Sequence, residues 1–318
     1  MLRYIRRINI ANLVVYVALI LVSYQFLYPI LRMIATSIMS TEDIIDPAVN
    51  WLPRTWSFGN MRLAWTVMNP RVTMFNSIWF SGVLAIGQTL VAATTGFAFA
   101  RYDFKFKRFW LLMVLISFIL PAPVMMSPRI MMAMSIQEIT GIQMIATTIP
   151  QIAMAATGQG IFSAILILIF YNFTRMIPRA LDEAASIDGA NPLQIFYHVI
   201  LKLSITTLLV IFLLSFVWNW NETHITATFL RGRVALMPFR LQEFDSLFPG
   251  AAAAAAAAGG HAQMGMTGAG DVSPEVQRIN EAFRMAGTLV SMLPLFALYL
   301  VVQRQFIKGI ENTGITGE

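Results

Sequence analysis

The segment 181–203, which we call the docking segment, is a polar stretch between two strongly apolar regions and reads LDEAASIDGANPLQIFYHVILKL. Its ionisable residues are Asp182, Glu183, Asp188, His198 and Lys202. Carboxylates beside alanines suit polar contact and close packing against another surface, because small side chains let a neighbouring chain approach. The stretch therefore offers a close-approach surface.

Three local signals predict a pair of helices joined by a sharp turn in the docking segment. Pro178 suits the first position of a helix, because its fixed φ fits there and its missing N–H is no loss. Gly189 is placed to end that helix, since glycine adopts the left-handed terminal conformation most easily. Asn191, followed by Pro192 and Gln194, has the pattern of a cap for a second helix. The close-approach face of the first helix comprises Ala180, Leu181, Ala184 and Ala185.

The spacing of these residues resembles the cytoplasmic signature of the membrane subunits of binding-protein-dependent ABC importers. Glu183-Ala184-Ala185 is followed after three residues by Gly189, and after nine more by Val199 and Leu201. The spelling EAASIDGA followed by Asn-Pro is most similar to the carbohydrate, maltose-type permeases. Lys202 stands where the family usually has proline, which leaves open how the second helix enters the membrane.

This resemblance implies a coupling helix that docks into a groove on a separate ATPase subunit. Glu183 would make a polar contact with the ATPase, while Ala184 and Ala185 would allow close packing. Gly189 would make the turn, and Asp188 would cap or brace it. The implied partners are a second permease subunit, an extracytoplasmic substrate-binding protein and a pair of ATPases. ATP and Mg would bind to the ATPases, so this chain needs no cofactor of its own.

The end of the chain carries a second resemblance to carbohydrate ABC permeases. The sixth apolar run leads into Arg304-Gln305-Phe306-Ile307-Lys308-Gly309, which is similar to the Gln-Arg-x-Phe-x-x-Gly ending of that family. In the maltose-type system this tail reaches between the ATPase subunits. The candidate ATPase contacts are therefore Arg304, Phe306, Lys308 and Gly309. A basic stop at the membrane surface explains Arg304 and Lys308 equally well when each is taken singly.

The composition of the 318-residue chain is that of a membrane protein. It is 57% hydrophobic and 12% charged, whereas soluble proteins carry roughly 25% charged residues. There is no cysteine, which excludes disulfides and thiolate metal sites. The formal net charge is +6, but the basic residues cluster beside apolar runs. That pattern indicates membrane lipid rather than nucleic acid as the partner.

Six apolar runs are long enough to cross a bilayer, which needs about 20 residues per helix. They cover 8–31, 72–100, 109–128, 152–171, 203–221 and 285–303. We expect the third to bend near Pro121 and Pro123, and the long uncharged region before the fourth to break at Pro150 or around Gly158 and Gly160. The small residues that suit helix contact in the second run are Gly82, Gly87 and Gly96.

Short loops rich in Lys and Arg identify the cytoplasmic side of these spans. The basic residues on that side are Arg3, Arg6, Arg7, Arg101, Lys105, Lys107, Arg108, Arg175, Arg179, Lys202, Arg304 and Lys308. Six spans then place both termini and the docking segment in the cytoplasm, where ATP is available. The arginines assigned to the longer outer loops, Arg129 among them, weigh less in this rule. We expect a multi-pass protein of the bacterial inner membrane.

Two outer regions are candidates for contact with the substrate or its binding protein. Trp220-Asn221-Glu222, at the outer end of the fifth span, resembles a Trp-Asn-acid sequence of the family. It is either a polar rim at the mouth of the translocation path or an interface belt at a solvated helix end. The low-complexity insertion 249–275, rich in Ala and Gly, lies where the family places a loop that probes the binding protein.

The sequence lacks the motifs of an ATPase and of common enzymes. It has no G-x-x-x-x-G-K-[ST] phosphate loop, no His-Glu-x-x-His and no nucleophile elbow. His198, His224 and His261 have no ligand-like spacing, so we expect no metal site. The apolar runs are almost free of ionisable residues, which a proton- or ion-coupled transporter usually needs.

These observations predict an all-α polytopic membrane protein with about six spans, like the permeases of type I ABC importers, forming one permease domain over residues 1–318. The expected function is import of a sugar or oligosaccharide by alternating access, driven by the ATPase of another subunit. A permease for peptides, amino acids or another solute is the main alternative, and a secondary transporter is a further one. The residues expected to line the translocation path are apolar, so they do not identify the solute.

Overall fold

The computed structural model describes residues 10–49, 51–242 and 274–314, with side chains placed at 12–49, 51–121, 123–242 and 278–304. Within these ranges the regular elements are helices, and extended pairing is limited to one bridge between Met39 and Trp56. The predicted all-α fold is confirmed for this part of the chain.

In the part of the chain that the structure describes, eight helices precede the docking segment. They are α1 (Ile10–Ser37), α2 (Thr41–Ile45), α3 (Gly59–Met68), α4 (Pro70–Arg101), α5 (Lys107–Ile119), α6 (Ala122–Thr140), α7 (Ile149–Ala156) and α8 (Ser163–Met176). The docking segment itself forms α9 (Ala180–Ile187), α10 (Pro192–Ile195), a π-helical turn (Phe196–Ile200) and α11 (Leu201–Leu203). The remaining described helices are α12 (Ile205–Asn221), α13 (His224–Leu230), α14 (Met237–Gln242) and α15 (Pro274–Gly314).

Three of these helices are long and apolar enough to cross a membrane on their own. They contain the segments Asn12–Ser37, Pro70–Arg101 and Arg278–Arg304. Three further helix pairs qualify only if each bent pair is one span, which gives up to six spans in the described residues. The bends are 108° between α5 and α6, 75° between α8 and α9, and 80° between 192–203 and α12.

The positions of the helix breaks follow from residues that cannot continue a helix. Leu120 is extended and leads into Pro121, which disfavours a helical residue before it. The region expected to hold the fourth span breaks at Gly158, which has φ +75°, rather than at Pro150, which lies inside α7. The run 152–171 is consequently two elements, since α7 ends at Ala156 and α8 extends from Ser163 to Met176.

Backbone packing divides the chain into two compact units. The first comprises 1–70 and 240–292, and the second comprises 71–239 and 293–318. In the first unit, the side chains of α1 are largely exposed from Leu13 to Leu27, which suits contact with lipid or another subunit. The buried Asp43 orders the loop after α2 by accepting hydrogen bonds from the backbone N–H groups of Arg54 (3.0 Å) and Thr55 (3.1 Å).

The core of the second unit joins α4, α8, the docking segment and α12. Its buried side chains include Ala92, Phe97, Leu166, Phe170, Ile195, Ile200 and Ile211. Gly96 lets α4 approach α8 closely, because a Cβ there would lie 2.9 Å from the Tyr171 nitrogen. Gly87 makes an ordinary contact with Ala155 of α7, whereas Gly82 faces open space. The predicted contact role therefore fails for Gly82.

Candidate functional site

The first helix of the docking segment ends in a Schellman motif built on Gly189. Gly189 has φ +86°, and its N–H donates to the carbonyl of Ser186 at 3.1 Å. The Ala190 N–H donates to the carbonyl of Ala185 at 2.9 Å, which completes the motif. Glycine suits this position because a Cβ is strained at such a positive φ. The turn predicted at Gly189 lies at that residue.

The second helix of the docking segment begins with a complete capping box. The Gln194 N–H donates to Asn191 Oδ1 at 2.9 Å, and the Asn191 N–H donates to Gln194 Oε1 at 2.8 Å. Pro192 occupies the first turn, where its missing N–H has no cost. The first helix starts later than expected, because α9 is preceded by Arg179 as its cap and Pro178 lies outside it.

A buried ion pair anchors α9 to the end of α4. Arg101 Nε lies 2.7 Å from Asp182 Oδ2, with side-chain exposures of 6% and 18%. Arg101 Nη2 also donates to the carbonyl of Ile177 at 3.0 Å, immediately before the chain enters α9. The Arg101 guanidinium thus contacts both α9 and the backbone that leads into α9. The sequence separates Arg101 and Asp182 by 81 positions and gives no sign that they meet.

The predicted coupling residues are presented on the surface of this anchored helix. Glu183, Ala184, Asp188 and Gly189 are exposed, whereas Ala185 is half-buried and packs against the core of the second unit. The Asp188 backbone forms the C-cap of α9. Close packing by Ala185 is therefore internal to this chain, and Ala184 is the alanine left for an outside partner.

Large apolar side chains of the docking segment are exposed as well. They are Leu181, Ile187, Leu193 and Tyr197. Ile187 is 87% exposed, so its side chain has almost no contact within the chain. We call this group, together with Glu183, Ala184, Asp188 and Gly189, the docking surface. Leu181 belongs to the close-approach face predicted from sequence, whereas Ile187, Leu193 and Tyr197 were missed. The exposure of these three depends on which face of each short helix turns inward.

The loop between α4 and α5 borders the docking surface and carries two perturbed groups. Lys107 donates to the Asp103 carboxylate at 2.9 Å, which lowers the pKa of that carboxyl below its usual value. Burial, assisted by the Asp182 carboxylate, raises the pKa of Tyr102. A cleft of about 250 Å³ lies beside them, lined by Arg101, Arg179, Asp182, Glu183 and neighbouring residues.

The junction with α12 shows how the chain continues past Lys202, where the family pattern has proline. Lys202 is exposed within α11, and the preceding π-helical turn shifts the helix phase. The bend of 80° follows at Ser204, whose buried Oγ donates to the carbonyl of Ile200 at 2.6 Å. A hydroxyl bonded back to the helix in this way favours bending. The turn thus lies two residues beyond the expected proline position.

The three residues expected at the outer mouth occupy different environments. Trp220 is 2% exposed and stacks on Phe216, so it belongs to the core and forms no exposed rim. Glu222 caps α13 by accepting the backbone N–H groups of Ile225 (2.8 Å) and Thr226 (2.9 Å). Asn221 is exposed and donates to the carbonyl of Val217 in its own helix. Contact of Asn221 and Glu222 with a binding protein stays a prediction.

The tail and the insertion are described only in part. Arg304 is exposed on α15, and the backbone at Phe306, Lys308 and Gly309 continues that helix. Side chains beyond Arg304 lie outside the described set. Residues 249–273 of the insertion also lie outside it, while Pro274 and Glu275 belong to the first turn of α15. The ATPase contacts and the binding-protein loop predicted there stay predictions.

A buried polar network inside the second unit was not foreseen from sequence. Gln88, 1% exposed, donates to the Ile161 carbonyl and to Ser163 Oγ, both at 2.8 Å. Its Oε1 accepts from Ser215 Oγ (2.5 Å) and from Asn219 Nδ2 (2.7 Å). The network links α4, α8 and α12 with the amide of Gln88 fully bonded. The only sequence sign was a glutamine inside the second uncharged run, 72–100.

In the described residues, no group of three or more His, Cys, Asp or Glu side chains is placed to hold a metal ion. The arrangement offers an exposed docking surface that is fixed to α4 and to the core of the second unit.

These helices and spans define a polytopic α-helical membrane protein. The family described as "Binding-protein-dependent transport system inner membrane component" matches residues 88–312, so the chain belongs to that family of transport permeases. The predicted family is thereby confirmed.

Relatives and a solved structure extend the similarity over nearly the whole chain. The arabinooligosaccharides transport system permease protein AraQ of Halalkalibacterium halodurans is 24% identical over 93% of this chain and 93% of its own. The sn-glycerol-3-phosphate transport system permease protein UgpE of Pectobacterium atrosepticum is 23% identical over 94% of this chain and 95% of its own. A bacterial ABC transporter for import of the acidic polysaccharide alginate shares the fold, with a TM-score of 0.69, 20% identity, and coverage of 95% and 99%.

Proposed function

We propose that this chain is a membrane-spanning subunit of an ATP-driven importer that passes a carbohydrate from a binding protein into the cytoplasm. The observation that carries the proposal is the docking surface on a helix whose underside is fixed to α4. An exposed apolar and acidic surface of this kind suits a groove on another subunit, because it combines desolvation with a polar contact at Glu183. The partner is an ATPase that supplies the ATP and Mg sites.

Motion of the partner would reach the spans through rigid connections. Arg101 ties α9 to α4, and Ala185 packs α9 onto the core shared with α8 and α12. The Schellman motif and the capping box stiffen the turn between α9 and α10. Displacement of one helix therefore displaces the other. The helix pair then acts as a lever that shifts the spans between inward- and outward-facing arrangements. A second permease subunit completes the path, since one chain with so few spans encloses little.

The names of the relatives support a carbohydrate or a polyol derivative as the solute. One relative is a permease for arabinooligosaccharides and another for sn-glycerol 3-phosphate, while the structural neighbour imports alginate. These solutes share hydroxylated carbon chains, and they differ in charge. The proposal therefore covers the class of polyhydroxylated solutes and leaves their charge open. A binding protein on the outer side, with Asn221 and Glu222 near its contact, completes the cycle.

The proposal is tested with Glu183→Lys and Gly189→Pro in the complete complex reconstituted in liposomes. Lysine reverses the exposed charge, and proline cannot adopt the φ of +86° found at Gly189. We expect both variants to insert and assemble, to retain ATP hydrolysis, and to lose uptake by at least about tenfold, equivalent to about 1.4 kcal/mol of coupling. Uptake and ATP hydrolysis are measured in the same vesicles.

Glu138→Lys is the matched control, because Glu138 is also an exposed helical acid but lies on α6, away from the docking surface. It should leave uptake unchanged. Normal coupling in the Glu183 and Gly189 variants would contradict the docking role. Uptake that survives ATP depletion and collapses with an ion gradient would instead identify a secondary transporter.

A further inference from the structure

One arginine of the second unit lies inside a candidate span without an acidic partner. Arg129 is in α6, within the bent pair α5–α6, although sequence analysis assigned it to an outer loop. Its side chain is half-buried, and Nη2 donates to the carbonyl of Gln159 at 3.1 Å. Among the side chains that the structure places, no carboxylate forms an ion pair with it. A guanidinium has five N–H donors. Most of the hydrogen-bonding capacity of Arg129 is therefore unused by the side chains and backbone that the structure describes.

Three neighbouring cavities share Arg129 in their walls. One of about 440 Å³ is lined mainly by apolar side chains, including Met132, Met154 and Phe229. A second of about 150 Å³ is more polar and includes Ser117, Ser163 and the backbone of Gly158–Gly160. The third, of about 20 Å³, has room for one water molecule and also borders Asn219. Arg129 is thus the charged group common to all three spaces.

A second unpartnered polar group borders the smallest cavity. Gln151 is 5% exposed, and its Nε2 donates to Thr226 Oγ1 at 2.8 Å. Its Oε1 is buried and accepts no hydrogen bond from any residue that the structure describes. A buried acceptor without a donor is destabilising, so this carbonyl is suited to a ligand hydroxyl. Glu222, the acid nearest in the same network, is already occupied at the N-terminus of α13.

We propose that Arg129 binds the anionic group of a carbohydrate solute, a carboxylate or a phosphate, and that Gln151 accepts a hydrogen bond from one of its hydroxyls. The inference rests on the proposed function and adds the charge of the solute. A cation held in a mostly apolar wall is costly unless an opposite charge arrives. The guanidinium fork matches both carboxylate and phosphate. The apolar walls of the largest cavity suit the ring faces and carbon chain of the same solute.

The test measures uptake by the complete complex in liposomes of neutral phospholipid. The probes are a radiolabelled oligouronide, sn-glycerol 3-phosphate and a neutral arabino-oligosaccharide. The variants are Arg129→Gln, the charge-keeping Arg129→Lys, and Arg233→Gln as a matched control, since Arg233 is exposed and lines none of the three cavities.

We expect wild-type complex to take up at least one anionic probe. Arg129→Gln should lower that uptake at least about tenfold, which corresponds to about 1.4 kcal/mol, without lowering any neutral uptake. Arg129→Lys should retain most of the uptake of the anionic probe. Arg233→Gln should change the uptake of neither the anionic nor the neutral probe. Gln151→Leu should lower uptake of the anionic probe by a smaller factor, because one hydroxyl contact is lost while the charge contact stays.

Several outcomes would overturn the assignment while leaving the proposed function intact. The assignment is wrong if the wild-type complex takes up only the neutral probe. It is also wrong if Arg129→Gln lowers uptake of all probes equally, because that result indicates a structural role. An effect of Arg129→Gln that appears only when anionic phospholipid is added would make a lipid headgroup the ligand and also overturn it. ATP-driven uptake of no carbohydrate at all would instead contradict the proposed function.

Discussion

Two polar sites connect helix α4 to elements far along the chain, and their chemistry differs. At its end, Arg101 forms a buried ion pair with Asp182 and holds α9. Near its middle, Gln88 forms a neutral network with Ser163, Ser215 and Asn219. One site uses charge next to an exposed surface, and the other uses amide and hydroxyl groups inside the bundle.

The difference between them reflects the surroundings of each site. A charge is tolerated at the end of α4, because the opposite charge of Asp182 lies 2.7 Å away. A charge in the middle of the bundle has a far larger desolvation cost, whereas an amide with every hydrogen bond satisfied does not. The ion pair is therefore suited to carry force from the docking surface, and the network is suited to keep three helices in register.

The largest expected effect comes from breaking the ion pair on one side. Arg101→Ala leaves the mostly buried Asp182 carboxylate unpaired, so we expect a loss of about 3–5 kcal/mol in the free energy of unfolding. Arg101→Met combined with Asp182→Leu should recover most of that loss, because no lone charge is buried. Unfolding is followed by denaturant titration in mixed micelles.

Lys107→Ala is the control for this ion pair, since it breaks an exposed pair on the neighbouring loop. Exposed pairs contribute little, so no measurable change is expected. A small effect of Arg101→Ala, equal to that of Lys107→Ala, would show that the ion pair does not anchor α9.

A smaller effect is expected from the neutral network. Gln88→Leu removes the partner of the buried Ser215 and Asn219, and unsatisfied groups of this kind cost about 1–3 kcal/mol in total stability. The same substitution at the exposed Gln143 is the control and should change nothing. If Gln88→Leu stabilised the protein, helix register would depend on packing alone.

The contact between α4 and α8 is tested by an effect no larger than that of the network, and its control gives the smallest effect. Gly96→Ala places a Cβ about 2.9 Å from the Tyr171 nitrogen, and overpacking of this kind costs roughly 1–3 kcal/mol. Gly82→Ala in the same helix faces open space and should instead stabilise the helix by about 0.5–1 kcal/mol. Opposite signs in thermal unfolding would support the close approach, and equal signs would contradict it.

Local sequence chemistry determined much of the docking segment. The turn at Gly189 and the capping box at Asn191 and Gln194 depend on hydrogen bonds within a few residues, so residue type and spacing predict them. The apolar runs likewise predicted helices able to span a membrane, because backbone groups in lipid must bond within their own segment. The family resemblance rested mainly on the same short stretch and on the tail from Arg304 to Gly309.

Only the tertiary structure decided which distant residues meet and which faces stay exposed. Arg101 and Asp182 pair across 81 positions, Gln88 reaches Asn219 across 131, and Trp220 turns into the core although its sequence context suggested a surface. The assignment of Arg129 changed most. The sequence predicted an outer-loop charge, whereas the structure shows a half-buried guanidinium beside three cavities. The reason is physical: a helix fixes the spacing of its own side chains, but the neighbour that each one meets depends on helix packing.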